Sequence, residues 1–191
     1  LFMPRMLILT ANEQELFDKL PLFDYRERKQ FLSLPKGLMD IAATLRTPGG
    51  QIGFLLMCGY FKATKRFYQP QDFHARDIDA AARILELQGS DFSPDAYAKQ
   101  TRARHQQLIL DFYGFAPFDG AARKTLAVEI ATMARMHLKP RLIFDRCVDF
   151  LIQRRFQVPT VRSLTDMIRV GLYERKAELV VLMDDHPGQL R

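Results

Sequence analysis

Cysteine, histidine and long apolar runs are all scarce in this chain of 191 residues, and each shortage removes a class of protein. Cys58 and Cys147 are the only cysteines, too few for a disulfide framework or a zinc cluster. Both lie in apolar helical patterns where a buried free thiol is the usual state, which fits a reducing, intracellular compartment. None of the four histidines, His74, His105, His137 and His186, is spaced with another His, Cys or carboxylate as metal sites require. Asp184-Asp185-His186 reads as a solvated helix end, because adjacent helical residues point in different directions. His137 falls on an apolar stripe and reads as a core or boundary histidine. No metal or other cofactor is expected.

Phosphate-binding and nucleophile motifs are missing too. G-x-G-x-x-G, a Walker loop and G-x-S-x-G do not occur, and Thr47-Pro48-Gly49-Gly50 lacks the lysine of a phosphate loop, so it reads as a turn. No catalytic residue is assigned, and the chain is not read as an enzyme. No apolar run approaches the roughly 18 residues that span a bilayer, and the apolar opening LFMPRMLIL is too short for a signal segment. A cytoplasmic protein with no membrane partner is expected. Leu1 and Phe2 precede Met3-Pro4-Arg5, which has the form of a natural start.

What the chain does have is helix-forming sequence and positive charge. Apolar residues make up 48%, enough for a core. Sustained period-two alternation is absent and helical spacing is everywhere, so the expected fold is all-α, a multi-helix bundle arranged as two small modules. Lys and Arg number 28 against 22 Asp and Glu, a net charge of +6 with a pI near 9.5, which favours a polyanionic partner. The excess lies mostly after residue 92, where 16 basic residues face 11 acidic ones.

The helices can be placed from their caps and breakers. Thr10 and Glu13 have capping-box spacing for a short helix ending before Pro21, and a second short helix covers Tyr25 to Leu32. Pro35 opens a helix to about Arg46. From Gln51 to Lys62 the sequence is apolar nearly all round, so this helix reads as the centre of the first module. Asp77 to Leu87 follows. Gln88 to Pro94 is the expected boundary between modules 1–92 and 93–191, with Ser93 as cap and Pro94 opening a helix to Tyr113. Later helices are expected from Gly120 to His137, Pro140 to Arg155 and Thr160 to Asp184. The stripe Leu126, Ile130, Met133 and His137 is read as core, as is the stripe Phe144, Cys147, Val148 and Leu151.

Basic residues are the remaining signal. Arg46 stands at a helix corner, and Lys62, Lys65 and Arg66 cluster where a helix C-terminus favours cations. Lys99, Arg102 and Gln106 form a row at spacings of three and four, suited to phosphates or base edges. Arg154 and Arg155, followed across a short corner by Arg162 and Arg169, suit a helix-turn-helix-like element. A solvated amphipathic surface accounts for the same rows, and on residue pattern alone it is the simpler reading.

Three runs in register tip that balance. They are Met3-Pro4-Arg5 with Leu9-Thr10-x-x-Glu13; Arg46-x-x-x-x-Gln51-Ile52-Gly53-Phe54 leading to Tyr60-Phe61-Lys62 and Lys65-Arg66; and Tyr97-x-x-x-Thr101-Arg102-x-x-His105 ending in Gly114-Phe115-Ala116-Pro117-Phe118. Across essentially the whole chain this resembles the N-terminal region of the large transposases of the Tn-three family. It departs from that family at Gln51 and Ala116, where arginine is usual. The resemblance implies a helical, non-catalytic fragment that binds double-stranded DNA at the terminal inverted repeats of a replicative transposon, nucleoid-associated when bound. The family's metal-binding DDE residues belong to a later part of a longer protein, where self-association is also expected. The alternative is a helical protein-interaction module serving transposase assembly or a host partner.

Overall fold

The computed structural model describes residues 6–185. Within them the chain is all-α: α1 (Ala11–Asp18), α2 (Tyr25–Phe31), α3 (Lys36–Thr44), α4 (Pro48–Thr64), α5 (Ala75–Ile84), α6 (Lys99–Tyr113), α7 (Gly120–Arg135), α8 (Pro140–Gln153) and α9 (Val161–Asp185), with 3-10 turns at Pro70–Asp72 and Gly89–Asp91. The chain divides into two compact units, Leu20–Ala116 and a discontinuous one made of the residues up to Lys19 with those from Pro117 onward.

The Leu20–Ala116 unit is built around α4. Ile52 through Phe61 are all buried, as expected for a helix with no polar face, and α2, α3, α5 and α6 pack against it. Fully burying side chains such as Phe54, Leu55 and Phe61 stabilises by about 1.5–3 kcal/mol each. Thr47 to Gly50 is not a turn after all. Thr47 caps α4, its Oγ1 accepting the Gly50 N–H at 3.0 Å, and Pro48 takes the first helical position. The missing N–H of proline is harmless there, so the breaker residues start the helix instead of interrupting it.

The expected boundary at residues 92 and 93 falls inside this unit, because Phe92 and Tyr97 share the α4 core with Ile109 and Leu110. Pro94 does not open α6, which begins at Lys99. Ser93 to Ala98 instead carries the buried Tyr97 ring across α4, so close that a Cβ on Gly53 would lie 2.5 Å from its Cε1.

In the discontinuous unit α7, α8 and α9 pack pairwise and α1 packs on α9. Leu126, Ile130, Met133, Phe144, Cys147 and Leu151 form the core with Leu164 and Ile168, and Ile8 and Leu9 add to it from the far end of the sequence. The T-x-x-E box at α1 forms as read, Thr10 Oγ1 accepting from the Glu13 N–H at 3.2 Å and Glu13 Oε2 from the Thr10 N–H at 2.8 Å. His137 leaves the expected stripe: α7 ends at Arg135, and His137 is exposed with φ 56°. The left-handed turn after the helix rotates its side chain off the core face. The stretch Met3–Arg5 and His186 lie outside the described residues.

Division by units also changes the charge distribution. Leu20–Ala116 carries 13 basic and 10 acidic residues, and the rest of the chain carries 15 and 12, so each has an excess of three. The apparent concentration of charge after residue 92 followed from cutting the chain at the wrong place.

Candidate nucleic-acid interface

In the Leu20–Ala116 unit most of the expected basic residues hold protein atoms as well as facing solvent. Lys62 donates from Nζ to the Gln30 carbonyl at 3.0 Å, and Lys65 from Nζ to the Lys62 carbonyl at 2.6 Å. Lys65 is the left-handed residue that ends α4, at φ 59°. Burial, then the neighbouring Lys62 ammonium, holds its amine below the usual lysine range. Arg66 is buried, with its guanidinium 5.6 Å from the Tyr68 ring centre. Arg46 is exposed at the corner between α3 and α4.

The row on α6 is only partly a solvent row. Lys99 is exposed, but Arg102 and Gln106 are half-buried. Arg102 Nη1 donates to Gln69 Oε1 at 2.8 Å, which ties α6 to the loop that carries Lys65 and Arg66. The structure thus joins two basic sets that are far apart in sequence. Phe112 is 41% exposed and rests on Gly37, while His105, Ile109 and Leu110 face the core. Gln51, at a position where the resembled family has arginine, donates from Nε2 to the Leu45 carbonyl at 3.0 Å, closing the end of α3.

His105 has a partner that spacing did not reveal. It is buried, Nδ1 lies 2.6 Å from the Tyr97 hydroxyl, and the imidazole stands edge-on to Phe54. Burial, then the nearby Arg104 charge, pulls its pKa down to about 4, so it is neutral near pH 7. Asp77 is a second buried polar residue that sequence reading missed. It is 1% exposed, accepts the Tyr60 O–H at 2.7 Å, and lies 3.6 Å from Arg28 Nη1. Its place on the same face of α5 as Ala81 was the available clue.

In the discontinuous unit Arg162 extends into solvent from the first turn of α9, with Asp166 3.9 Å away. Arg169, half-buried, instead donates to the Met6 carbonyl at 3.3 Å and to Asp166 at 3.0 Å, so it belongs to the fold. Arg154 is exposed, its guanidinium 5.4 Å from the Phe150 ring centre. Arg155 is exposed and takes the left-handed turn at the end of α8, φ 56°. The first turn of α9 is capped from afar: Asp18 Oδ1 accepts the Val161 N–H at 3.0 Å.

Cys58 and Cys147 are buried free thiols, and burial pushes the Cys147 thiol up to about 12, far from the thiolate reactivity that redox or nucleophilic chemistry uses. Among the described residues no group of three His, Cys, Asp or Glu side chains could hold a metal ion. None of the helices among them is long and apolar enough to cross a membrane.

This is an all-α protein in which the buried Asp77 and His105 are each met by a tyrosine hydroxyl. Residues 8–170 match the family described as a domain of unknown function, DUF4158, and the chain belongs to that family. No curated protein matches it.

Proposed function

We propose that this chain binds double-stranded DNA at the terminal inverted repeats of a transposon, as the non-catalytic N-terminal part of a Tn-three-type transposase. The observation that carries the reading is the three-helix arrangement of α7, α8 and α9, with Arg162 projecting from the first turn of α9 beyond the corner that bears Arg154 and Arg155. Helix-turn-helix modules place the start of their second helix in the major groove and use flanking cations on phosphates. The sequence resemblance supplies the particular target. Among the basic residues expected at the interface, Lys99 and Arg46 are the exposed ones in the other unit, and the linked Arg102 and Gln69 pair is a second surface for phosphate contact.

The test is a titration against the cognate transposon-end duplex and a scrambled duplex at several salt concentrations. Log affinity should fall with log salt by about 0.9 per neutralised phosphate. Arg162→Ala should weaken binding and flatten that slope by about one phosphate, while changing stability by no more than about 0.5 kcal/mol. Equal affinity for both duplexes removes the sequence-specific part of the reading. No binding at low salt removes the DNA reading.

A protein-interaction module is the second reading, favoured by the end of α9. There Val180, Val181, Leu182 and Met183 are each more than half exposed, an apolar run that burial against another protein surface would stabilise. Concentration-dependent self-association without DNA affinity would support it.

A further inference from the structure

We propose that a cleft beside the first turn of α5, lined by Arg28, His74 and Arg76, is a phosphate-binding site. The cleft has a volume of about 430 Å³, and Leu22, Phe23, Ala75 and Asp77 complete its lining. Its chemistry is cationic and held in place. Arg28 is anchored through Nη1, which donates to the Phe23 carbonyl at 2.6 Å and lies 3.6 Å from Asp77 Oδ1. Its Nε and Nη2 have no partner among the described residues. The Arg28 fork is therefore fixed at one edge and open at the other, the pre-organised state in which guanidinium recognises phosphate best. Arg76 is exposed and likewise has no partner among the described residues.

The start of α5 also favours an anion there. His74 stands at the N-cap of α5 but supplies no side-chain cap, so the Ala75 and Arg76 N–H groups, at residues that both line the cleft, keep no helical partner. His74 also lines the cleft, half-buried, with its Nε2 enclosed by protein. Asp77 is the only carboxylate in the lining. It is turned inward, its charge met by the Tyr60 hydroxyl and by Arg28, so it opposes an incoming anion weakly. The lining thus combines Arg28 and Arg76 with the first two N–H groups of α5.

The shared ligand chemistry is a phosphate group, supplied by the backbone of a duplex or by a free phosphate ester; the duplex source rests on the DNA reading above. The experiment follows the backbone amide resonances of Ala75 and Arg76 in the full chain during titration with inorganic phosphate, with chloride at matched ionic strength as control. Expected is a saturable shift confined to residues around the cleft, with affinity reduced about tenfold or more in Arg76→Gln, whose side chain is exposed and leaves the fold intact. Arg28→Lys gives a second reading, keeping the charge while losing the fork. No saturable shift up to on the order of 50 mM phosphate, or equal affinity in wild type and Arg76→Gln, overturns the proposal. A short duplex is then titrated. If it moves the same amides and phosphate competes with it, the cleft holds a backbone phosphate. If phosphate binds and duplex does not, the cleft stands and takes a free phosphate ester, while the DNA reading falls. If duplex binds with these amides unmoved and phosphate silent, the cleft falls and the DNA reading stands.

Discussion

The Leu20–Ala116 unit and the discontinuous unit reach a stable core by different means. In the first, one continuous helix, α4, is buried on every side, and rings crowd around it: Phe23 and Phe73 on Tyr60, Phe67, Tyr113 and Phe115 on Phe61. Polar groups that enter this core are closed in pairs, Tyr60 with Asp77 and Tyr97 with His105. In the second the core is largely aliphatic. Its ties are long-range and peripheral: Asp18 on the Val161 amide, Arg169 on the Met6 carbonyl and Arg141 on Glu13. Everything the first unit needs lies within one stretch of chain, whereas the second depends on residues more than a hundred positions away. Exposed ion pairs contribute little, so what the N-terminal segment adds is chiefly Ile8 and Leu9 in the core and the cap on α9.

Removing residues 1–19 is the strongest way to break this contrast. Losing the burial of Ile8 and Leu9 together with the Asp18 cap should destabilise the discontinuous unit by about 5 kcal/mol or more, enough to abolish its cooperative melting by circular dichroism. Residues 20–116 expressed alone should still melt cooperatively. Equal melting of the truncated and full chains would show the N-terminal segment to be dispensable. Asp77→Ala comes next. It leaves Arg28 and the Tyr60 hydroxyl without their partner, and should reduce the stability of the Leu20–Ala116 unit by about 3–5 kcal/mol in urea unfolding. A loss under about 1 kcal/mol would mean that water replaces the carboxylate.

Gly53→Ala drives a methyl group into the Tyr97 ring and should cost about 1–3 kcal/mol. It should also let the His105 pKa rise from about 4 as the ring loses its enclosure, a shift that NMR titration reads directly. The same histidine makes stability pH-dependent. Below its ordinary value of 6.5 the unfolded chain takes up a proton that the folded chain refuses. The stability from a neutral His105 is complete above about pH 6.5 and is lost as pH falls towards 4, with a slope of at most about 1.4 kcal/mol per pH unit. His105→Gln should flatten that dependence, and an unchanged slope would assign it to other groups. The smallest effect is Asp18→Ala, about 1 kcal/mol from the lost cap, expected in the melting of the discontinuous unit alone.

Much of the helical order was legible because its signals are local. The capping box at Thr10 and Glu13, the wholly apolar α4 and the stripes of α7 and α8 all use spacings within a few turns, and all formed except at His137, which lies beyond the end of α7. The misreadings occurred where a local signal has two meanings. Thr47-Pro48-Gly49-Gly50 carries turn residues that equally start a helix, and Ser93-Pro94 looked like a helix start where the chain instead packs Tyr97 against Gly53. The cations were the hardest to place. A helical wheel put Arg102 on an open face, and only the loop that brings Gln69 alongside shows that face to be partly covered.

The sequence by itself determined that the chain is helical, that α4 is interior and that cations outnumber acids, because periodicity, hydrophobicity and net charge are sums over neighbouring residues. Which residues form each unit was decided only in three dimensions, since Ile8, Leu9 and Asp18 reach partners across more than a hundred residues of intervening chain. The same holds for the state of each polar group. Asp77 and Asp79, two residues apart on α5, differ in that one is buried against Tyr60 and the other faces solvent. Desolvation and pairing depend on what packs against a side chain, and that is a property of the fold rather than of its neighbours in sequence.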